Sequence, residues 1–275
     1  MSLKSIMAVA SGESDDGAVI GVGAKLAAAQ GGELRVVPAF ADPAADLIYY
    51  GAALYTTDAS VADRLAESEQ AAHERLEALG REAASREGAS VRVDRRALQP
   101  AVALAPAAVL ADVVAFGAAG VKAAAMGALF AETLLSTRAP VLLVKRDTLG
   151  AGPVAVAWDG SAQAARAVRA ALPLLRGAPR VLILRNVDDE SAEAEAGGVA
   201  DLKRYLALHG VKAAEARELH GERVAESLLA AVKAEGCDLL VAGAYGRPRL
   251  FEMVLGGTTR ALVQAADGPN LFLAH

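Results

Sequence analysis

Apolar residues along the chain fall into two recurring patterns. Short, nearly continuous runs rich in Val, Ile, Leu and Ala suit strands buried on both faces, and longer stretches with apolar positions every three or four residues suit helices laid on a sheet. The pattern predicts strands from Ser5 to Val9, Leu34 to Phe40, Val91 to Ala97 and Asp112 to Phe116, and a closing strand from Val141 to Val144. Between them it predicts a helix from Ala18 to Gln30, a long helix beginning near Val61 and a further helix ahead of Asp112. The long helix lines one side with Val61, Leu65, Ala72, Leu76 and Leu79, while Glu67, Glu69, Glu74 and Arg75 fall mainly on a solvated side.

The order then starts again. Val154 to Trp158 reads as a strand, Asp159-Gly160-Ser161 as a turn with Ser161 capping a helix from Ala162 to about Leu175, and Val181 to Val187 as the next strand. A helix from Val199 to Leu208 stops at Gly210, Val211 to Leu219 is a weaker strand, and a helix follows from about Arg223 to Ala234. Strand Asp238 to Ala242 and closing strand Asn270 to Ala274 complete it. Strands alternating with helices, twice in the same order, predict an α/β protein with parallel sheets in two domains, 1–149 and 150–275, meeting near Leu149 to Gly152.

Glycines sharpen the repeat. Gly117 and Gly120 mirror Gly243 and Gly246, and Gly127 to Pro140 aligns without a gap on Gly256 to Pro269. In the second copy an apolar strand is followed by glycines and a new helix at Gly256-Gly257-Thr258-Thr259. Glycine lets backbone approach a ligand, and the unpaired N–H groups of a starting helix form a seat for phosphate, although any strand-to-helix crossover also uses glycine for its turns. The first copy has a shorter loop, with six residues between Gly120 and Gly127 against nine between Gly246 and Gly256. It also carries Ala128, Leu129 and Phe130 where the second has Gly257, Thr258 and Thr259, and Ser11-Gly12-Glu13 in place of Asp159-Gly160-Ser161. A phosphate site is expected in the second copy only.

Composition narrows the function. With 275 residues, 54% of them hydrophobic, the chain can bury two ordinary cores. A net charge of −5 and a pI near 5.5 argue against broad nucleic-acid binding and anionic membranes. No apolar run reaches transmembrane length and the N-terminus lacks a secretory pattern, so a cytoplasmic protein is expected. The lone Cys237 reads as a small core residue.

Catalytic signatures are missing: no GxxxxGK[ST], no GxSxG and no shared short spacing among His73, His209, His220 and His275. Rapid P-loop hydrolysis is not expected, and no catalytic residue and no protein-held metal is assigned. Arg247, Arg249 and Arg260 add positive charge around the loop, where one could reach a phosphate; Arg249 reads as surface charge, Arg247 as either, and Glu252 as a solvated loop residue. Tyr49, Tyr50 and Tyr55, in an insertion of the first copy, read as cover for a sheet edge or the seam between copies.

The marks Trp158-Asp159-Gly160-Ser161, Asn186-Val187-Asp188 and G-x-x-G, nine residues, G make the chain resemble a tandem universal stress protein. The resemblance implies two doubly wound, five-strand, Rossmann-like domains of the adenine-nucleotide alpha-hydrolase-like type. Their closing strands would pair as an intrachain pseudo-dimer, with room for further homodimerisation. It implies a stress-response sensor or regulator that binds ATP, any Mg2+ arriving with the phosphates. Asp159 and Val187 would flank the adenine, Gly243 and Gly246 the ribose and phosphates, and Gly256, Gly257, Thr258 and Thr259 would supply donors at the helix start. The family's nucleotide-binding branch usually has Ser or Thr where Gly257 stands, so one hydroxyl donor, worth about 0.5–1.5 kcal/mol, is lost. The alternative is an interaction module with vestigial clefts that recruits protein partners without nucleotide.

Overall fold

A computed structural model describes residues 2–39, 59–95, 105–188, 198–245 and 257–275. Its ten strands form one sheet in the order β3-β2-β1-β4-β5-β10-β9-β6-β7-β8. The first half contributes β1 (Ser5–Ala10), β2 (Glu33–Pro38), β3 (Ser90–Val93), β4 (Val113–Gly117) and β5 (Val141–Val144). Its helices are α1 (Asp16–Gln30), α2 (Ala59–Glu87), the single turn α3 (Ala105–Ala108) and α4 (Ala124–Glu132). The second half contributes β6 (Val154–Ala157), β7 (Val181–Asn186), β8 (Ala214–Leu219), β9 (Leu239–Gly243) and β10 (Asn270–Ala274). Its helices are α5 (Ala162–Gly177), α6 (Val199–Leu208), α7 (Val224–Ala234) and α8 (Gly257–Gln264).

Within each half every pairing is parallel, and the strand order is the same, with the last strand innermost. Alternation along the strands sorts the side chains to two faces. Ile6, Ala8, Leu142, Val156 and Phe272 join a core covered by α1, α2, α5 and α6. Met7, Val9, Leu143, Leu240 and Leu271 join another, covered by α3, α4, α7 and α8. Both halves are therefore doubly wound. Cys237 is buried, as its sequence position suggests, and burial pushes its thiol up.

The halves meet where β5 and β10 pair antiparallel, Leu271 opposite Leu143, Phe272 opposite Leu142 and Leu273 opposite Val141. All of these side chains are fully buried. What remains at the outer edges is polar: β8 exposes Glu215, Arg217 and Glu218, and β3 exposes Ser90 and Arg92, which blunts edge-to-edge association.

The repeat extends to hydrogen bonds. Asp112 Oδ2 accepts from the amides of Lys4 and Ser5 at 2.8 and 2.9 Å, and Asp238 Oδ2 from those of Ala151 and Gly152 at 3.1 and 3.0 Å. The register sets Ser5 against Pro153, since their carbonyls accept from Asp112 N and Asp238 N respectively. Proline has no N–H, so the second set steps back one residue.

The ungapped match from Gly127 to Pro140 does not carry into the closing strands. Val114 pairs with Val141 and its counterpart Leu240 with Leu271, which leaves one extra residue after Pro269. That residue is Asn270, fully buried at the seam. Its Oδ1 accepts from Lys145 N at 2.8 Å and Arg146 N at 3.0 Å, and its Nδ2 donates to Arg146 O at 3.3 Å and Thr148 O at 2.7 Å. All four hydrogen-bonding positions of the amide are used.

Beside it, Lys145 Nζ donates to Leu262 O and Ala265 O, each at 2.6 Å, and Arg146 Nη2 to Asp267 O at 2.7 Å. Burial lowers the Lys145 ammonium to about 8, with Arg146 and Lys122 acting in the same sense. Among the described residues no helix is long and apolar enough to cross a membrane.

Two outcomes follow at the seam. Asn270→Ala strands buried amide and carbonyl groups on the 145–148 backbone and should lower stability by about 1–3 kcal/mol in urea denaturation; an unchanged midpoint would contradict this role. The folded chain releases the Lys145 proton near 8 while the unfolded chain keeps it to 10.5, so between those values the unfolded state binds more protons and stability rises with pH. Urea titrations across that window should show the rise in the wild type and lose it in Lys145→Met.

Candidate functional site

In a doubly wound sheet the crevice opens at the carboxyl ends of the strands where the winding reverses. In the second half that point lies between β6 and β9. Trp158 N–H, just past β6, donates to Leu184 O at 2.9 Å, and the chain turns at Gly160, whose φ of 80° suits glycine. Asp159 is exposed, and its Oδ1 accepts from Ser161 N at 2.9 Å. Ser161 caps α5 as expected, its Oγ accepting from Ala164 N at 3.1 Å. At the end of β9, a Cβ on Gly243 would lie 2.6 Å from Ala164 N and 2.9 Å from Gln163 Cβ. The missing side chain at Gly243 is thus required by the start of α5, whatever a ligand needs.

Val187 follows β7, 36% exposed, with its N–H on Leu219 O at 3.0 Å. α8 opens with Gly257 and Thr258 exposed and Thr259 buried, and among the described residues nothing lies within 4 Å of where a Gly257 Cβ would stand. Asp159, Val187 and Gly243 therefore share the carboxyl edge of the second half, and Gly257, Thr258 and Thr259 form the first turn of the helix that follows β9. Gly246, Arg247 and Gly256 lie outside the described residues, as do Arg249, Glu252, Tyr49, Tyr50 and Tyr55. Arg260 is exposed on α8.

Three features of this edge were not singled out from the sequence. Tyr245, between the two loop glycines, has a φ of 60°, and its buried hydroxyl has no partner among the described residues. Burial pushes that phenol up to about 12. His275 packs edge-on against it, ring centroids 6.2 Å apart, and its Nδ1 bonds Ala244 O at 3.0 Å. Beside Val187, Asp188 accepts from Gly221 N at 2.8 Å and meets His220 Nδ1 at 3.3 Å. These contacts hold its carboxyl below the usual range, the Gly221 amide contributing most. An αL tyrosine and a histidine on a neighbouring strand leave no periodic mark, so only the pairing of strands could reveal them.

The first half has filled its crevice from within. Asp16, 1% exposed, accepts from Ser11 N at 2.9 Å and Gly12 N at 3.0 Å. Burial raises its carboxyl above the ordinary range against those two amides, and the neighbouring Asp15 adds to the rise. Asp15 Oδ2 accepts from Ala119 N at 2.7 Å, and this carboxylate occupies the space a side chain at Gly117 would need. Ala119 corresponds to Tyr245 in the second half, and Asp15, seated against Gly117, to Gln163 against Gly243. Leu129 and Phe130 on α4 are core residues, Phe130 packed edge-on against Phe116 at 5.6 Å. An anion approaching this crevice meets two carboxylates where the other half presents a neutral glutamine.

Residues 151–273 match the Universal stress protein family. The whole chain is similar in fold to the crystal structure of a universal stress protein from Archaeoglobus fulgidus DSM 4304, with a TM-score of 0.69 at 16% identity over 98% of this chain and 96% of that one. It is similar too to a functionally unknown protein from Pseudomonas aeruginosa PAO1, with a TM-score of 0.59 at 13% identity over 99% of this chain and 92% of that one. At such identities the likeness is one of fold. A comparison with curated proteins gave no match. Among the described residues no group of His, Cys, Asp and Glu is arranged to hold a metal ion.

The two carboxylate turns should respond differently to truncation. Asp16→Ala leaves two turn amides without an acceptor in a buried setting and should cost about 1–3 kcal/mol, whereas Asp159→Ala removes one exposed contact and should cost about 0.5 kcal/mol or less. Thermal or urea unfolding of the pair checks this, and equal losses would contradict it.

Proposed function

We propose that residues 150–275 are a nucleotide-binding universal stress protein domain and residues 1–149 a degenerate second copy. The protein acts as a stress-response sensor or regulator that binds one adenine nucleotide per chain, ATP with any Mg2+ carried on its phosphates. Asp159 and Val187 would flank the base. Gly243, Gly246 and Arg247 would lie by the ribose and phosphates, and Gly256, Gly257, Thr258 and Thr259 would supply N–H and hydroxyl donors at the start of α8.

The observation that carries this reading is the contrast between two equivalent turns. Asp15 and Asp16 already hold the turn amides of the first half, as an anion would, and repel another. The second half has Gln163 at that position and a helix opening on glycine and threonine, with none of the described residues within 4 Å of a Cβ at Gly257. The described residues fit a phosphate there, since the helix start offers donors and its first turn carries no acidic side chain. Among the described residues no side chain on this edge is placed as a nucleophile with an adjacent base, and the reading proposed is one of binding.

Calorimetry with Mg-ATP should give one site per chain. Saturation at about a hundred times the dissociation constant should stabilise the fold by about 2.7 kcal/mol. Gly257→Ser restores the missing hydroxyl and should tighten binding about threefold to tenfold. Gly257→Asp meets no described residue at its Cβ and suits a helix N-terminus, so it should fold normally yet weaken ATP by at least about tenfold through charge repulsion. No heat at millimolar ATP with the wild type, or equal affinity in Gly257→Asp, would overturn the reading.

A further inference from the structure

The helix proposed to seat the phosphates is held at its other end by the opposite half of the chain. α8 spans eight residues, of which only Thr259 and Leu262 are buried. A helix this short has no stability of its own, since about 12–15 residues are needed even in favourable sequences, so its order depends on the packing of Leu262 in the core and on what grips its ends. At its C-terminal end the grip comes from residues just past β5. Lys145 Nζ donates to Leu262 O and Ala265 O at 2.6 Å each, a cation set on carbonyls at the helix end, where Ala265 O also accepts from Gly268 N at 3.4 Å. Arg146 holds Asp267 O at 2.7 Å, one residue before Gly268. The fit is close: a Cβ on Gly268 would lie 3.1 Å from Lys145 Nζ.

The hold runs in one direction only. His275 occupies the place after β10 that Lys145 occupies after β5, and it bonds Ala244 O within its own half. The first half closes α4 for itself, with a π-turn over Thr133–Thr137 in which Thr133 Oγ1 donates to Leu129 O at 2.8 Å and Thr137 Oγ1 to Thr133 O at 2.6 Å. The copy with the filled crevice thus supports the helix of the copy with the open one.

We propose that Lys145 is a positioning residue through which the first half holds α8 in place, so that the anion seat at the start of α8 is ordered only while the two halves are joined. This rests on the nucleotide reading above for its ligand, and on the seam alone for the hold. It assigns the degenerate copy a part in the other copy's site rather than a passive role in the fold.

Hydrogen exchange and Mg-ATP calorimetry on the full chain test it together. In Lys145→Met the amides of α8 should lose at least about tenfold of their protection while β6, β7 and β9 keep theirs, and the ATP dissociation constant should rise about threefold to tenfold. Lys145→Arg, which keeps charge and donors, should recover most of both. Gly268→Ala, which crowds the ammonium without removing it, should shift both readouts the same way by less, and it serves if Lys145→Met does not fold. Wild-type α8 exchange in Lys145→Met and Gly268→Ala overturns the proposal. So does protection lost evenly across both halves, which marks a merely structural lysine. Failure of the wild type to bind ATP overturns the nucleotide reading instead, and the local or uniform character of the exchange then decides the hold.

Discussion

Everything in this molecule is arranged around the antiparallel pairing of β5 with β10. Each half winds outward from its first strand and finishes on a strand buried on both faces, so each finishing strand has an apolar body and one side of unpaired backbone. Alone, either half would offer that side to any other strand. Pairing the two satisfies both, fuses two parallel sheets into one of ten strands, and carries each core continuously across the join. A one-residue slip would turn Leu143 and Leu271 to the opposite core, so the register must be fixed. Asn270 does this, because its buried amide fits the 145–148 backbone at one position only.

The same join separates the two crevices. Since the middle strands run in opposite directions, the carboxyl ends of the two halves face opposite edges of the sheet, and each crevice is free to change without disturbing the other. The first has become a self-contained turn, two carboxylates replacing any need for an external anion. The second keeps glycine and threonine at the start of α8, together with an exposed carboxylate at Asp159 and a half-exposed Val187. On the proposed reading the first half serves as scaffold and the second as receptor, and the Lys145 hold on α8 joins the two roles.

Much of the fold was legible because buried parallel strands are written as unbroken apolar runs. Val141 to Val144 and Asn270 to Ala274 were placed to the residue, the helix expected from about Val199 to Leu208 is present, and Ser161 was read correctly as a cap. Boundaries drifted where pairing rather than hydrophobicity decides: Val211 to Leu219 shortens to Ala214–Leu219, because a solvent-facing edge strand carries little apolar signal. What could not be read was chemistry made by distant partners. Asn270 looks like any residue after a proline, and its role exists only because Lys145 and Thr148 lie across the seam. Asp15 and Asp16 lie just ahead of the helix expected from Ala18, and the contact of Asp15 with the β4 exit needs the fold to be seen. Gly243 was read for a ligand, yet helix packing alone accounts for its missing side chain.

The account stands on an asymmetry between two copies of one unit, and native mass spectrometry of the intact chain equilibrated with Mg-ATP measures it most directly. It should show a single nucleotide mass added per chain, with the bound form growing to full occupancy and no second addition. Two equal additions would mean that Asp15 and Asp16 do not close the first crevice, and none at all would mean that the start of α8 is not a nucleotide seat.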